Sequence, residues 1–317
     1  MQILKHRVVV VAAAVALLAA VPAFSQSEFN QGYGQAVVTV LPARKGAKAP
    51  SVSPNQLTLK VDGRPTRITG WKALHNSNAP IQVVVMIDNG LRESLGVQMG
   101  YIAHFIETLP PNAAVTVAYM EYESAQLVGP LSTDHSKVAQ ELHLPNGIPA
   151  VSGSPYFCLS ALANHWPSRN PFARRVVVMI TDGVDFFYPN YNPEDPYVLT
   201  AIHDAVRARI SVYAIYWRNL GVAFGYGSYD GQNLLTELTA ATGGYSYWQG
   251  MGNPVSFQPY FDNLDHRFKH QYELSFNAPM GRRPAVETLN LRAKGLDARI
   301  VAPHRVYVGH LAETSAN

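Results

Sequence analysis

The pattern of hydrophobic and polar positions changes near residue 80. Between residues 26 and 79, apolar positions alternate with polar ones, as at Leu57, Leu59 and Val61, which is typical of half-exposed strands. The turn sequence VDGRP that begins at Val61 predicts a β-hairpin within this segment. From residue 80 onward, short continuous apolar runs alternate with stretches of helical spacing. The segment 80–271 is therefore expected to be organised differently from the strands before it.

Two apolar runs define the organisation of the segment 80–271. The sequences IQVVVMID (81–88) and RRVVVMITDG (174–183) predict strands that are buried on both faces. Strands that alternate with helices predict an α/β fold with a doubly wound, mainly parallel, Rossmann-like sheet. Alternating strand patterns return at 272–310. We expect them to pack with the strands of 26–79 as a small β subdomain, and 311–317 to be a tail.

The first 25 residues have the composition of a secretory signal peptide. A short basic start is followed by 14 consecutive apolar residues and by the small-x-small sequence Ala23-Phe24-Ser25, which predicts cleavage after Ser25. The apolar run is shorter than a typical membrane-spanning helix. We therefore expect a secreted or periplasmic protein with no membrane span after cleavage; a segment kept as an uncleaved anchor is the alternative.

Composition excludes several classes of function. The chain of 317 residues is 47% hydrophobic and 15% charged, which is typical of a globular protein. The net charge is +3, and removing Lys5 and Arg7 with the signal segment leaves +1. Neither this charge nor any Lys/Arg cluster indicates a nucleic-acid partner. Cys158 is the single cysteine and lies in an apolar helical run, so we expect it to be buried rather than catalytic.

Two aspartates follow the two apolar strands. Asp88 ends the first strand and Asp182 follows the second. Ligands of α/β sheets meet the loops at the carboxyl ends of the strands, so we expect both side chains at one edge of the sheet. Two carboxylates brought together repel each other unless a proton or a cation lies between them.

The segment that carries these aspartates resembles a von Willebrand factor type A (VWA) domain. The resemblance rests on the strand ending in Asp88, on ITDG around Asp182, on ATGGYSYW before the last helix and on SGSPYFCLSAL at the position of the family's threonine loop. The flanking strand pairs resemble those of secreted, acidobacterial-type proteins built around such a domain. The resemblance implies a binding or adhesion function rather than catalysis.

The resemblance also implies a metal-ion-dependent adhesion site (MIDAS), in which Asp-x-Ser-x-Ser, a threonine and a second aspartate hold Mg²⁺ or Mn²⁺. Asp88 and Asp182 match this pattern, and Ser154 lies near the threonine position. Gly90 and Arg92 stand where the two serines belong. A guanidinium has only donors and cannot ligate a metal. The sequence therefore predicts a degenerate site in which Arg92 forms an ion pair with the two aspartates in place of the metal, while Asp185 offers a spare carboxylate.

Two loops beside this site are rich in aromatic residues. The segments 185–197 and 217–231 each follow a predicted strand and combine aromatic side chains with Gly, Asn and Pro, a composition that suits adaptable contact surfaces. The predicted contact residues are Phe186, Phe187, Tyr188, Tyr191, Trp217, Phe224, Tyr226 and Tyr229, with Tyr197 beside them. The alternative is that these aromatic side chains fold inward and cover the edge of the sheet.

We expect a secreted, non-enzymatic binding module that recognises a protein partner through these loops, without a metal or other cofactor. One alternative is a Mg²⁺- or Mn²⁺-dependent adhesion domain with a partial site. A less favoured alternative is a hydrolase that uses the pair Asp88 and Asp182. His266 and His270 are four residues apart on a predicted helix, but no glutamate motif of the kind found in zinc proteases accompanies them, which favours a solvated helix face.

Overall fold

The computed structural model describes residues 30–44, 46–47, 49–74, 79–148, 153–185, 187, 192–218, 226–250, 252–295 and 297–310; the side chains of 30, 92, 93 and 226–228 are outside this part. The predicted signal segment and the tail 311–317 lie outside the described residues. No helix in the described part of the chain combines the length and apolar content needed to cross a membrane.

The described chain contains thirteen strands, six α-helices and two 3₁₀ helices. The strands are β1 (Asn30–Pro42), β2 (Leu57–Val61), β3 (Arg64–Ala73), β4 (Ile81–Asp88), β5 (Ala113–Glu121), β6 (Ser124–Leu127), β7 (Arg174–Thr181), β8 (Ile210–Tyr216), β9 (Tyr245–Tyr247), β10 (Gln271–Met280), β11 (Ala285–Ala293), β12 (Ala298–Val301) and β13 (Arg305–Gly309). The α-helices are α1 (Met99–Glu107), α2 (His135–Gln140), α3 (Pro155–Asn164), α4 (Pro196–Arg207), α5 (Tyr226–Thr242) and α6 (Gln258–Phe268). The 3₁₀ helices span Pro54–Gln56 and Asn89–Gln98.

Six strands form a doubly wound sheet in the order β6-β5-β4-β7-β8-β9. All neighbours are parallel except β5 and β6, which form an antiparallel hairpin. The strand order reverses between β4 and β7, so the loops after these two strands diverge and leave a crevice. The predicted α/β fold with a mainly parallel sheet is confirmed, and the crevice lies where the two aspartates were expected.

Alternate residues of β4 point to opposite faces of this sheet. Val83 and Val85 pack in a core beneath α1 and α6, whereas Val84 and Met86 pack in a second core beneath α3, α4 and α5. Every residue of β4 is buried, which explains the continuous apolar run in the sequence. Both faces are thus covered by helices, and only the ends and edges of the sheet remain for binding.

The remaining seven strands come from both ends of the chain and form one antiparallel sheet. Its order is β10-β3-β2-β11-β13-β1-β12, and an additional pairing of β1 with β10 curls the sheet on itself. Its core includes Val38, Leu59, Phe276 and Val308. The β2–β3 hairpin turns at Asp62 and Gly63, whose φ values of 48° and 73° suit a tight two-residue turn. The predicted hairpin is therefore confirmed.

Two local predictions need correction. The segment 217–231 was predicted as a loop throughout, but α5 already begins at Tyr226. The Gly residues among its first turns weakened the helical pattern there. The sequence predicts two strand patterns after the last helix, whereas the structure has four strands there, because the second pattern divides into β11, β12 and β13.

Candidate functional site

Asp88 lies at the carboxyl end of β4, where its carboxylate organises the start of the following 3₁₀ helix. One oxygen accepts a hydrogen bond from the Gly90 backbone N–H at 2.8 Å. The other accepts from the Thr181 hydroxyl at the end of β7, at 2.9 Å. An aspartate that accepts from the backbone two residues ahead is a common way to turn the chain after a strand. Asp88 therefore links the two strands that border the crevice.

Asp182 follows Thr181 and lies in the same crevice. Its Oδ1 accepts from the Val184 backbone N–H at 3.0 Å, and the Thr181 hydroxyl accepts from Gly183 N–H at 3.1 Å. Burial raises the pKa of Asp182, and the nearby charge of Asp88 raises this pKa further. Burial likewise raises the pKa of Asp88, although its bonds to Gly90 and Thr181 oppose the change. The pair thus holds a proton more readily than two separate carboxyls would.

Ser154 approaches from the start of α3. Its hydroxyl oxygen accepts from the Tyr156 backbone N–H at 3.3 Å and caps the helix. Its own backbone N–H donates to the Glu123 carboxylate at 3.1 Å. Sequence reasoning placed Ser154 near the site, and the side chain is buried beside the acidic cluster. Glu123 was missed, because it lies in the hairpin turn between β5 and β6, which carried no expected role.

Asp185 completes the cluster of buried acids. Its Oδ1 accepts from the Phe187 backbone N–H at 3.0 Å, whereas its buried Oδ2 has no hydrogen-bond partner among the described residues. Burial raises the pKa of Asp185 to about 6; the Phe187 N–H lowers it, the charge of Asp195 raises it, and the Ser154 hydroxyl lowers it. Asp195 caps α4 by accepting from Tyr197 and Val198 N–H groups. Asp185 and Asp195 therefore each keep one buried carboxylate oxygen that accepts no hydrogen bond from the described residues.

The loop that carries Asp182 is held closely by its neighbours. The buried Tyr156 hydroxyl donates to the Gly183 carbonyl at 2.8 Å. Gly183 has a φ of 69°, and a Cβ on Gly231 of α5 would lie 2.0 Å from the Asp182 carbonyl oxygen. Only glycine permits this approach of helix and loop. Packing and this hydrogen bond therefore hold the Asp182 loop against α3 and α5.

The residues do not reproduce the oxygen cage of the family's metal site. Gly90 has no side-chain oxygen, and both Asp88 oxygens already accept hydrogen bonds from protein donors. Within the described residues, no group of three or more His, Cys, Asp and Glu side chains is placed to hold a metal ion. Arg92 lies in the 3₁₀ helix after Asp88, but its side chain is outside the described part, so its predicted ion pair with Asp88 and Asp182 stays a prediction.

Among the described residues, two of the predicted aromatic contact residues are exposed and one is buried. Phe187 and Tyr229 are each more than half exposed, and Phe187 packs against the rings of Phe157 and Tyr197. Trp217 is only 4% exposed; its indole N–H donates to the Ser94 hydroxyl at 3.1 Å, and the structure removes it from the predicted contact surface because it packs into the core. Outside the described part lie Phe186, Tyr188, Tyr191 and Phe224 and the side chain of Tyr226.

Sequence reasoning missed one exposed aromatic residue at this end of the sheet. Tyr122 and Glu123 form the two-residue turn between β5 and β6, with φ values of 49° and 57°. Such a turn favours Asn and Gly, because positive φ is costly for other residues. Tyr122 is 79% exposed. The sequence MEYES (120–124) places an aromatic residue and an acid at this turn, and it is the feature that could have indicated an exposed ring here.

Two other candidate groups, Cys158 and the histidine pair, show no catalytic arrangement among the described residues. Cys158 is buried as predicted, and burial together with the charges of Glu123 and Asp88 raises the pKa of its thiol, which makes it a poor nucleophile. The His270 ring hydrogen-bonds the His266 carbonyl at 2.7 Å. His270 lies two residues beyond the end of α6, and both histidines are half-buried, so the predicted solvated helix face is only partly exposed.

Comparison with known proteins gives structural similarities only. No protein-family model and no curated protein matches the sequence. An aerotolerance-related membrane protein from Bacteroides fragilis NCTC 9343 with multiple mutations to serines is 12% identical over 59% of this chain and 98% of its own, with a TM-score of 0.42. The VWA domain of SpRpn10 is 13% identical over 57% of this chain and 98% of its own, with a TM-score of 0.37. Proximal thread matrix protein 1 from the mussel byssus, with a zinc-occupied MIDAS motif, is 13% identical over 63% of this chain and 48% of its own, with a TM-score of 0.39.

The strand order of the parallel sheet, the antiparallel β6 at its edge, and the two aspartates that converge from β4 and β7 all agree with the predicted architecture. The α/β unit therefore has the doubly wound, mainly parallel sheet that the resemblance to a VWA domain implies.

Proposed function

We propose that this protein is a secreted, non-enzymatic binding module that recognises a protein partner without a metal ion. Recognition takes place at the carboxyl-end face, which we define as the surface formed by Tyr122, Phe187 and Tyr229 around the buried acids of the crevice. A signal segment at 1–25, with cleavage after Ser25, would direct the chain to the periplasm or the extracellular space.

The observation that carries the proposal is the exposure of Tyr122 in a costly backbone conformation. A large aromatic side chain that is 79% exposed contributes little to folding, and the positive φ of its turn disfavours such a residue. Phe187 and Tyr229 add two exposed rings to the same end of the sheet. Aromatic residues are enriched at protein interfaces, since each buries a large area at little entropic cost.

The buried acids below the carboxyl-end face hold the loops that form it. Asp88, Asp182 and Asp185 accept hydrogen bonds from backbone N–H groups that shape the loops after β4 and β7. These bonds orient Phe187, whose own N–H is the donor to Asp185. The buried Cys158 thiol is a poor nucleophile, and the carboxyls serve backbone donors, which favours binding over hydrolysis.

A comparison of surface variants tests the proposal. The triple variant Tyr122→Ser, Phe187→Ser and Tyr229→Ser removes the exposed rings and leaves the buried acids intact. Phe172→Ser is the matched control, because Phe172 is also highly exposed but precedes β7 at the opposite end of the sheet. Partners captured from the native secretome in EDTA are quantified for each protein. We expect the triple variant to lose a partner that the wild type and Phe172→Ser retain; equal capture by all three would overturn the proposal.

A cation-dependent adhesion function is the second candidate, and one observation favours it. Burial raises the pKa values of Asp88, Asp182 and Asp185, and the Ser154 hydroxyl acts on Asp185. Hard divalent cations prefer such oxygen ligands. This candidate requires that capture of the partner be lost in EDTA and restored by Mg²⁺ or Mn²⁺.

A further inference from the structure

β6 is the outermost strand on one side of the six-stranded sheet. It pairs with β5, and no other strand of the described chain pairs with its second side. The outer side of a terminal strand presents backbone N–H and C=O groups with which another extended chain can pair. We call the outer side of residues 124–128 the β6 edge; it runs along the side of the sheet, away from the crevice.

The register of the β5–β6 hairpin shows which backbone groups point outward. The Val128 N–H donates to the Val117 carbonyl at 2.9 Å, so the backbone of Val128 faces β5. Backbone groups of successive residues in an antiparallel strand point to opposite sides. Gln126 therefore also faces β5, whereas the N–H and C=O groups of Ala125 and Leu127 point away from it.

The sequence of the β6 edge lacks the usual protection of a terminal strand. The segment SAQLV (124–128) contains no charged residue and no proline, whereas natural edge strands are commonly shielded by lysine, proline or a bulge. Leu127 and Val128 are each 38% exposed. A strand added here would cover both side chains, since the Cβ atoms of cross-strand neighbours lie about 5 Å apart. The β6 edge therefore suits the apolar centre of an extended segment.

Carboxylates lie at both ends of the β6 edge. Glu123, in the turn before β6, is exposed, and its Oε2 accepts from the Ser154 backbone N–H at 3.1 Å. Glu141 lies at the other end, because its Oε2 is 3.1 Å from the position of a Cβ on Gly129. No Lys, Arg or His of the described residues forms an ion pair with either carboxylate. Gly129 lies about 20 Å along the strand from Glu123. The edge therefore favours an occupant with a positive charge at each end.

The same charges disfavour a second copy of this chain as the occupant. Two β6 strands that pair antiparallel about a two-fold axis at Gln126 place Glu123 of each copy opposite Gly129 of the other. Glu141 lies beside Gly129, so both ends of such a pair bring two carboxylates together. Like charges repel, which leaves a basic peptide as the better match.

We propose that the β6 edge binds an extended peptide of a partner protein as an added strand, with a basic residue at each end and β-branched residues between. The peptide backbone pairs with the N–H and C=O groups of Ala125 and Leu127, and its Lys or Arg side chains meet Glu123 and Glu141. Main-chain pairing supplies affinity in this mode of recognition, and the flanking charges select the sequence. The proposal does not involve the aromatic rings of the carboxyl-end face, so each can fail without the other.

The first test uses three heptapeptides with acetylated and amidated ends, whose binding to the full chain is measured by titration calorimetry. Lys-Val-Thr-Val-Thr-Val-Lys carries both charges, Glu-Val-Thr-Val-Thr-Val-Glu reverses them, and Lys-Val-Thr-Pro-Thr-Val-Lys interrupts the strand. We expect the first peptide to bind at least about tenfold more tightly than either of the others. Equal binding of the reversed peptide would refute the charge recognition, and equal binding of the proline peptide would refute strand addition.

The second test uses variants of the β6 edge. Leu127→Pro removes an outward N–H and leaves the bonds to β5, whereas the matched control Leu127→Ala loses the same apolar side chain and keeps the N–H. We expect the proline to weaken the unmodified Lys peptide by at least about tenfold and the alanine by less than about threefold. Glu123→Gln and Glu141→Gln should each weaken it by about threefold. Asp297→Asn, an exposed acid of the antiparallel sheet, should not.

Circular dichroism and the urea midpoint show whether Leu127→Pro is folded. Ala125→Pro, the same change at the other outward position, replaces it if it is not, and the three-peptide comparison decides if both prolines unfold the chain. Equal binding by the proline and alanine variants would overturn the proposal, as would an absence of heat with the Lys peptide at millimolar concentration. A wild-type dimer in sedimentation that Leu127→Pro dissociates would assign the edge to a second copy of this chain instead.

Discussion

Replacing Asp185 by asparagine tests whether the buried acids strain the fold when ionised. Burial raises the pKa of Asp185 from 3.8 to about 6. Below pH 3.8, Asp185 is protonated in both the folded and the unfolded state, and its contribution to the free energy of unfolding is fully present. As the pH rises from 3.8 to about 6, the carboxyl ionises in the unfolded state but stays protonated in the folded state, so this contribution is lost. A shift of about two units corresponds to about 3 kcal/mol. Solvent near the loop screens part of this free-energy cost, so we expect ionised Asp185 to lower the free energy of unfolding by about 1–2 kcal/mol.

The asparagine side chain in Asp185→Asn keeps an oxygen for the Phe187 N–H and carries no charge at any pH. The free energy of unfolding, measured in urea from pH 4 to pH 8 in EDTA, should therefore differ between this variant and the wild type. Between pH 4 and about 6, we expect the free energy of unfolding of the variant to rise relative to that of the wild type. Above about pH 6, the variant should stay about 1–2 kcal/mol more stable. Asp297→Asn, the same change at an exposed position, is the matched control and should change the free energy of unfolding by less than about 0.5 kcal/mol. A difference that is independent of pH, or a variant less stable at pH 8, would refute the reasoning.

Two further substitutions test how the Asp182 loop is held. Tyr156→Phe leaves the buried Gly183 carbonyl without its donor and should lower the free energy of unfolding by about 1–2 kcal/mol in urea; an unchanged midpoint would show that the bond contributes nothing. Gly231→Ala places a Cβ against the Asp182 carbonyl and should destabilise by about 1–3 kcal/mol, whereas Gly100→Ala, in open space on α1, should stabilise by about 0.5–1 kcal/mol. Equal effects of the two alanines in thermal melts would contradict the close approach.

Much of the fold follows from hydrophobic spacing. The uninterrupted apolar runs of β4 and β7 require burial on both faces, and the helices between them supply it. Loop boundaries were less predictable, because α5 begins among Gly residues, which have low helix propensity, although one of them, Gly231, packs against the Asp182 loop. Tertiary contact there outweighs local preference.

The strands that carry the candidate site could be predicted from the sequence, whereas the hydrogen-bond partners of its aspartates could not. The position of Asp88 and Asp182 at strand ends follows from topology, since parallel strands deliver their carboxyl ends to one edge. The Thr181 hydroxyl that bridges to Asp88 was missed, because its direction depends on the register of β4 against β7. Trp217 was assigned to the surface from composition, but space beneath the 3₁₀ helix beside Ser94 accommodates it in the core.

The central claim is that the carboxyl-end face functions without a metal ion, and thermal melting tests it most directly. A cation that binds only the folded state stabilises it by about 2.7 kcal/mol at a hundredfold excess over its Kd. We predict the same melting temperature in EDTA, in millimolar Mg²⁺ and in millimolar Mn²⁺. The double variant Gly90→Ser and Arg92→Ser restores two hydroxyls and should gain a rise with either ion. A rise of several degrees in the wild-type protein would contradict the account.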